Sequence, residues 1–342
     1  NQLWWDFTFE GNAPRSLRGL VGASVVVIAA VLVSILRPRR QKSVVLQEPD
    51  WDRVHAGVEQ SPQTYANLAY LGDKRFLFSR KGSAFIMYNT SGRSWIAMGD
   101  PVGTPEQGNE LAWAFRELSD RHNGWTVFYE IGTENLPLYL DMGLTLLKLG
   151  EEARVPLNSF SLEGGSHKRL RHTVNRLEKE GYLSEVVSRE KVPELLPEFK
   201  VISDAWLAEK NTREKGFSLG RFREEYLKNF SAGIVRFHGK VVAFANLWSS
   251  GGGEELSIDL MRHCPVTSGG IMEYLLVKLM LWGRMAGYRW FNLGMAPLGG
   301  LEYHRLAPMW QRTASLLYRY GDHFYNFKGL RQYKEKFDPE WK

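Results

Sequence analysis

A single cysteine, Cys264, stands in 342 residues, which rules out an internal disulfide framework and fits a reducing compartment. Metal-ligand spacings are missing as well. No CxxC, HExxH or EF-hand pattern occurs, so neither a metal nor another cofactor is expected. His304 and Cys264 belong to no Ser-His-Asp or Cys-His arrangement, which argues against a covalent nucleophile. Net charge is scarce outside one end. Residues 1–42 hold six basic side chains (Arg15, Arg18, Arg37, Arg39, Arg40 and Lys42) against Asp6 and Glu10, a net +4 of the chain's formal +6. The other 300 residues share only +2, so a polyanionic partner must meet a local patch.

What is present begins with residues 19–36, GLVGASVVVIAAVLVSIL, an uncharged run of 18. As a helix it would extend ~27 Å, close to the hydrocarbon thickness of a bilayer. RPRRQK follows at once, and the excess of positive charge on that side places everything after residue 37 in the cytoplasm. A cleavable signal is disfavoured, because Trp4, Trp5 and acidic residues precede the run and no small-residue cleavage site follows it. The expectation is a transmembrane helix at 19–36 between an extramembrane flank (1–18) and a basic linker (37–50). A first residue of Asn points to a fragment of something longer.

The remainder reads as mixed α/β and repeats itself. Strands at RFLFSR, AFIMYNT and RSWIAMGDP precede a helix near 106–121 and a strand at WTVFYEIG. Strands at GIVRFHG, VVAFANLWSS and ELSIDLM precede a helix near 270–286 and a strand at RWFNLGMAP. Two copies of β-β-β-α-β argue for tandem duplication, with units at 51–163 and 191–342 joined by a basic connecting helix at 164–190. In the second copy Asp259 and Arg262 end a strand, and Thr267, Ser268, Gly269 and Gly270 open the next helix. Free N–H groups and the positive end of the dipole at such a turn suit a phosphate or a developing oxyanion. With an Asp and an Arg at its mouth, this is a plausible acyl-transfer centre in the second unit.

Two basic clusters flank it. In GGSHKRLRHTVNRLEKEG, Leu170, Val174 and Leu177 form a narrow apolar stripe while Lys168, Arg169, Arg171, Arg176 and Lys179 cover the rest. That fits either a solvated linker helix or a surface that tracks nucleic-acid phosphates. Near the end, Lys328, Arg331, Lys334 and Lys336 interleave with Phe327, Tyr333 and Phe337, which suits an anionic headgroup beside apolar surface or a packed amphipathic helix. Aromatic content is high, with 12 Trp and 18 Phe, enough to fill cores and also line a channel for acyl chains.

The strand order with a glycine turn before a helix resembles the Gcn5-related acyltransferase fold. The coenzyme A signature of that fold is not met, since Arg262 is followed by His-Cys-Pro-Val-Thr-Ser-Gly-Gly. Six blocks narrow the resemblance: YLGDKRFLFS (70–79), GRSWIAMGDPVG (92–103), EKGFSLGRF (214–222), LSIDLMR (256–262), FNLGMAPL (291–298) and LRQYKEKFDPEW (330–341). In that order they resemble the C-terminal domain of the aminoacyl-phosphatidylglycerol synthases of the MprF type, nearest to the alanyl-lipid branch. The resemblance implies tandem Gcn5-related acyltransferase-like domains. It also implies transfer of an aminoacyl group, alanyl rather than lysyl, from aminoacyl-tRNA to a glycerol hydroxyl of phosphatidylglycerol. Resistance to cationic peptides would follow. An upstream transmembrane flippase domain and a site on the cytoplasmic side of the bacterial inner membrane are implied too.

Such a transesterification needs a deprotonated hydroxyl, a stabilised tetrahedral oxyanion and exclusion of water, with no metal or nucleotide. Asp259 is the candidate base or hydroxyl-orienting group, unless it is a structural carboxylate paired with Arg262. Arg262 would hold the lipid phosphate. At i, i+3 on a regular strand the two face opposite sides, so a bulge or the strand end must intervene if they share a pocket. The expected substrate-binding set is Tyr226, Ser257, Gly269, Gly270, Glu302, Lys334 and Lys336; the resemblance implies Tyr226 and Lys334, and Glu302, just after LGG, would read the α-amino group. Lys168, Arg169, Arg171 and Arg176 form the expected tRNA surface. A tethered coenzyme A-dependent acetyltransferase and a non-catalytic RNA-binding module are the competing readings.

Overall fold

The computed structural model describes residues 27–28, 49–301 and 327–342, apart from 81, 83, 166 and 211. The expected transmembrane helix at 19–36 and Glu302 therefore fall outside the described residues, Val27 and Ile28 excepted. Among the described residues no helix is long and apolar enough to cross a membrane.

Four strands, β1 (Arg75–Phe78), β2 (Phe85–Ser91), β3 (Ser94–Met98) and β4 (Trp125–Tyr129), form a first sheet in chain order. The first three are antiparallel. A helix, Pro105–Arg121, then crosses over to bring β4 parallel to β3. Seven strands form the second sheet in the order β11-β5-β10-β9-β8-β7-β6. They are β5 (Gly150–Pro156), β6 (Tyr182–Val187), β7 (Ala232–Phe237), β8 (Lys240–Ser249), β9 (Glu255–His263), β10 (Trp290–Pro297) and β11 (Glu340–Trp341). Here too an antiparallel run ends in a helix, Ile271–Met285, that delivers β10 parallel to β9. The same strand plan thus occurs twice, as a crossover connection between parallel neighbours requires. The second sheet also takes in β5, which lies before the boundary expected at residue 163. It takes in β6 as well, from the stretch expected to be a connecting helix.

Each face of the second sheet has its own core. The helix Ile271–Met285 buries Leu275, Leu276, Leu279 and Met280 on one face, together with Leu170, Val174 and Leu177 of the helix Lys168–Lys179. Burying each such side chain contributes roughly 1.5–3 kcal/mol. The opposite face carries Phe244, Trp248 and Leu260, and packs on the helix Val192–Glu209 and on the 3₁₀ helix Thr64–Leu71. Phe85, Met87 and Met98 of the first sheet join this second core. The two sheets therefore meet through one continuous apolar layer, and the 3₁₀ helix runs along their seam.

Candidate active site

β9 does not alternate regularly. Leu256 and Ile258 face the layer of the helix Ile271–Met285, and so does Met261. Leu260 faces the other layer, and Arg262 reaches Ser203 of the helix Val192–Glu209 there. The register against β8 accounts for this, since Leu247 pairs with Ile258 and Ala245 with Met261. Asn246 alone thus opposes both Asp259 and Leu260, which is a β-bulge. The Asn246 side chain closes it by accepting the Leu260 N–H at 2.7 Å. Asp259 and Arg262 consequently share a face, as a common pocket requires.

β10 pairs with β9 only from Trp290 to Asn292, opposite Glu255 to Ser257, and its register then shifts against β5. The strands diverge just before Asp259. In the cleft, Asp259 accepts the Tyr226 hydroxyl on Oδ2 at 2.8 Å and the Gly220 N–H on Oδ1 at 2.8 Å. Tyr226 lies on a short helical turn, Glu224–Leu227, and its oxygen also accepts Trp248 Nε1–H at 3.1 Å. Gly220 is required on steric grounds, because a Cβ there would sit 1.6 Å from Asp259 Oδ2. Burial pushes the Asp259 carboxyl above its ordinary value, against the pull of the Gly220 and Tyr226 bonds and the positive charges of Lys74 and Arg262.

Arg262 does not have the role expected of it. Its guanidinium is held bidentately by Glu214, at 2.8 Å to each oxygen, bonds Ser203 Oγ and stacks on the Trp206 ring. A fork already filled by a carboxylate is not free to clamp a lipid phosphate. Glu214 Oε1 also accepts the Phe222 N–H at 3.2 Å, so the pair anchors the segment that carries Gly220. Sequence reasoning missed Lys74, Glu214 and Gly220 as site residues. Each sits inside a quoted block, Lys74 between Asp73 and Arg75, Glu214 between Arg213 and Lys215, and Gly220 between Leu219 and Arg221.

The other expected residues separate from this centre. Ser257 is buried and donates to the Asn292 carbonyl at 2.9 Å. Lys334 is buried and donates to the Gly294 and Met295 carbonyls at 2.9 and 2.7 Å, on the part of β10 past its pairing with β9. Burial brings its ammonium down to about 8. Gly269 and Gly270 line a cavity of about 230 Å³ at the start of the helix Ile271–Met285, with His263, Thr267 and Tyr333. Lys336 pairs with Glu273, another residue of that cavity. Cys264 sits where burial raises its thiol, which works against a thiolate. Of the basic helix, Lys168 and Arg169 are exposed. Arg171 instead binds the Leu162 and Gly164 carbonyls, and Arg176 binds Glu180 and the Gly269 carbonyl. Those two guanidinium groups are anchors of the fold.

Along the seam lies a second set of carboxylates. Asp100, two residues past β3, accepts the Tyr139 hydroxyl and the Gly132 N–H, both at 2.6 Å. Glu152 on β5 accepts the Asn292 side chain at 2.9 Å, and burial raises its carboxyl. Glu130 is pushed up to about 7, mainly by burial, with the nearby Glu152 adding to it.

Comparison with known proteins agrees with the mixed α/β fold. Residues 55–342 match the family model described as phosphatidylglycerol lysyltransferase, C-terminal, and the chain belongs to that family. A phosphatidylglycerol lysyltransferase of Bacillus subtilis (strain 168) is 35% identical over 93% of this chain. That alignment covers 37% of the relative, so the chain spans little more than a third of its length. Among solved structures, the C-terminal domain of a putative lysylphosphatidylglycerol synthetase from Agrobacterium fabrum superposes with a TM-score of 0.77 at 42% identity. The match covers 85% of this chain and 89% of that one. L-PGS from Bacillus licheniformis gives 0.75 at 36% identity, covering 87% and 91%.

Proposed function

We propose that this chain transfers an aminoacyl group from aminoacyl-tRNA to a glycerol hydroxyl of phosphatidylglycerol, on a tandem acyltransferase-like scaffold. The observation that carries the reading is the half-buried Asp259, bonded to Tyr226 and Gly220 where β9 and β10 part. The twice-repeated strand plan and the names of the relatives support it. In the reaction a glycerol hydroxyl gives its proton to the Asp259 carboxylate as its oxygen attacks the ester carbonyl of the donor. The tetrahedral adduct collapses by breaking the bond to the tRNA ribose oxygen, which takes the proton back. Tyr226 and Gly220 fix the carboxylate so that one lone pair faces the cleft.

The chain is placed on the cytoplasmic side of the bacterial inner membrane, downstream of a membrane-embedded flippase domain. The apolar run at 19–36 and the greater length of the relatives support that placement. The exposed Lys168 and Arg169 are the tRNA contacts in this reading. Reversing both charges should weaken tRNA binding and reduce its salt slope by about 2, whereas an unchanged slope removes this helix from the interface.

The likeness to the alanyl-lipid branch supports alanyl as the transferred group. A specific observation favours lysyl as a second reading: Asp100, Glu130 and Glu152 supply the counter-charge that an ε-ammonium would need. Asn292, which bonds Glu152, lies beside Ser257, only ~7 Å of strand from Asp259. Purified protein, phosphatidylglycerol vesicles and tRNA charged with labelled alanine or lysine test both readings. Label entering the lipid from one donor establishes the reaction and names the amino acid. No transfer from either donor by folded, vesicle-bound protein overturns the proposal.

A further inference from the structure

Lys74 has no exposed side-chain surface, and burial draws its ammonium below the ordinary lysine value while Asp73 pulls it back up. It precedes β1 and so belongs to the first sheet's side of the seam. Its Nζ donates to Asp73 Oδ1 at 2.7 Å and to the Leu68 carbonyl of the 3₁₀ helix at 3.2 Å, and sits 5.7 Å from the centre of the Phe217 ring. The other oxygen of Asp73 accepts the Phe217 N–H at 2.8 Å. Phe217 lies three residues before Gly220, whose N–H reaches Asp259. Arg223, three residues after Gly220, donates to the Leu71 carbonyl at 2.9 Å. The stretch 214–223 is therefore a strap tied at both ends to residues 71–73 and, through Glu214, to Arg262. Its middle caps the candidate base.

We infer that Asp73 and Lys74 are positioning residues for Asp259, so that the centre on the second sheet is completed by a segment from the first. Asp73 fixes the strap that delivers the Gly220 N–H. Lys74 supplies a buried positive charge that favours the ionised form of Asp259. A buried ammonium needs a counter-charge, and Asp73 alone would satisfy that need. Lys74 and Asp259 also attract each other, and Lys74 and Arg262 are the two cations that favour the ionised Asp259. The groups facing Asp259 are then Tyr226 from its helical turn, Lys74 from the segment before β1, and Arg262 from its own strand. Arg221 stands beside Lys74, and Glu214 neutralises Arg262. Without Lys74 the pull toward ionisation loses one of its two cations while burial is unchanged. A carboxyl that stays protonated cannot accept the hydroxyl proton.

The inference rests on the acyl-transfer reading for its electrostatic part and is independent of it for the strap. In the transfer assay, Lys74→Met should move the acid limb of the kcat/KM profile upward by about one pH unit, and Lys74→Arg should return it toward wild type. A folded Lys74→Met protein whose acid limb stays in place overturns the electrostatic role. So does an equal loss in both variants without a shift, which would mark a packing role only. Limited trypsin digestion reads the strap without any reaction. Asp73→Asn should raise cleavage after Lys215 and Arg221 about tenfold, with cleavage elsewhere unchanged. Wild-type protection in that variant overturns the strap's dependence on Asp73, even if Lys74→Met yields no folded protein. Increased strap cleavage together with no transfer in wild type would leave the strap standing and remove both the proposed reaction and the electrostatic role of Lys74.

Discussion

Asp259 on the second sheet and Asp100 on the first are each held by one tyrosine hydroxyl and one glycine N–H. Tyr226 and Gly220 serve the former, Tyr139 and Gly132 the latter. Burial raises both carboxyls. Their surroundings differ in sign. Asp259 faces Lys74 and Arg262, which favour its ionised form, whereas Asp100 faces Glu134, which disfavours it. A repeated strand plan has thus set the same local geometry into opposite fields. In the proposed reaction the first field would keep a carboxylate able to accept a proton, and the second would suit a bound cation. Geometry alone does not assign a role to either aspartate.

Substitution at the two aspartates should break the likeness most sharply. Asp259→Asn is expected to lower transfer by about 10²–10⁴-fold from either donor while the melting temperature stays within a few degrees. Asp100→Asn should leave alanyl transfer within about threefold and lower lysyl transfer selectively. Equal losses from both donors in Asp100→Asn would place the two aspartates in one catalytic unit. A smaller effect concerns the pair that only the Asp259 side possesses. Arg262→Ala strands a partly buried Glu214 and should cost about 3 kcal/mol in urea unfolding, and Glu214→Gln in the same background should recover part of it. Additive losses would show that the pair is not coupled.

The least of the effects sharpens the acidic side. The folded Glu130 carboxyl titrates near 7, above its ordinary 4.5, so folding is favoured with the proton on. Its penalty is absent below pH ~4.5 and develops as the pH rises to 7. Glu130→Gln should therefore stabilise the protein by roughly 1–2 kcal/mol at pH 8, after discounting for its partial exposure, and leave stability at pH 4.5 unchanged. An equal gain at both pH values would assign the effect to packing.

Much of this was legible in the sequence. The strand runs, the glycine turn at Gly270 and the helix after it follow from short-range patterns, and Asp259 stood out as a charge ending an apolar strand. The bulge was legible only as a condition, since nothing in LSIDLM says which residue is doubled against Asn246. Pairing partners far apart in sequence were not legible. β5 falls within the expected first unit but outside its expected strands, and its pairing with β10 depends on contacts over about 140 residues. The Arg262 side chain was misassigned for a related reason. Its partner Glu214 lies 48 positions away in a segment without regular structure. In the sequence Asp73 and Lys74 are two charges between Gly72 and Arg75, and only tertiary burial distinguishes Lys74 from its neighbours.

The doubled position on β9 has a consequence for how this gene tolerates change. Losing one codon at Leu260 would remove the bulge: Asp259 alone would then oppose Asn246, while Met261 and Arg262 kept their partners Ala245 and Phe244 and their own faces. The damage would be local, since one buried side chain and the Asn246-closed bulge beside Asp259 would go while the register to His263 held. In the turn after β9, where Val266 is almost fully exposed, a change of one residue shifts no register. Length variation among descendants of this chain should therefore collect in that turn and spare the strand beside it.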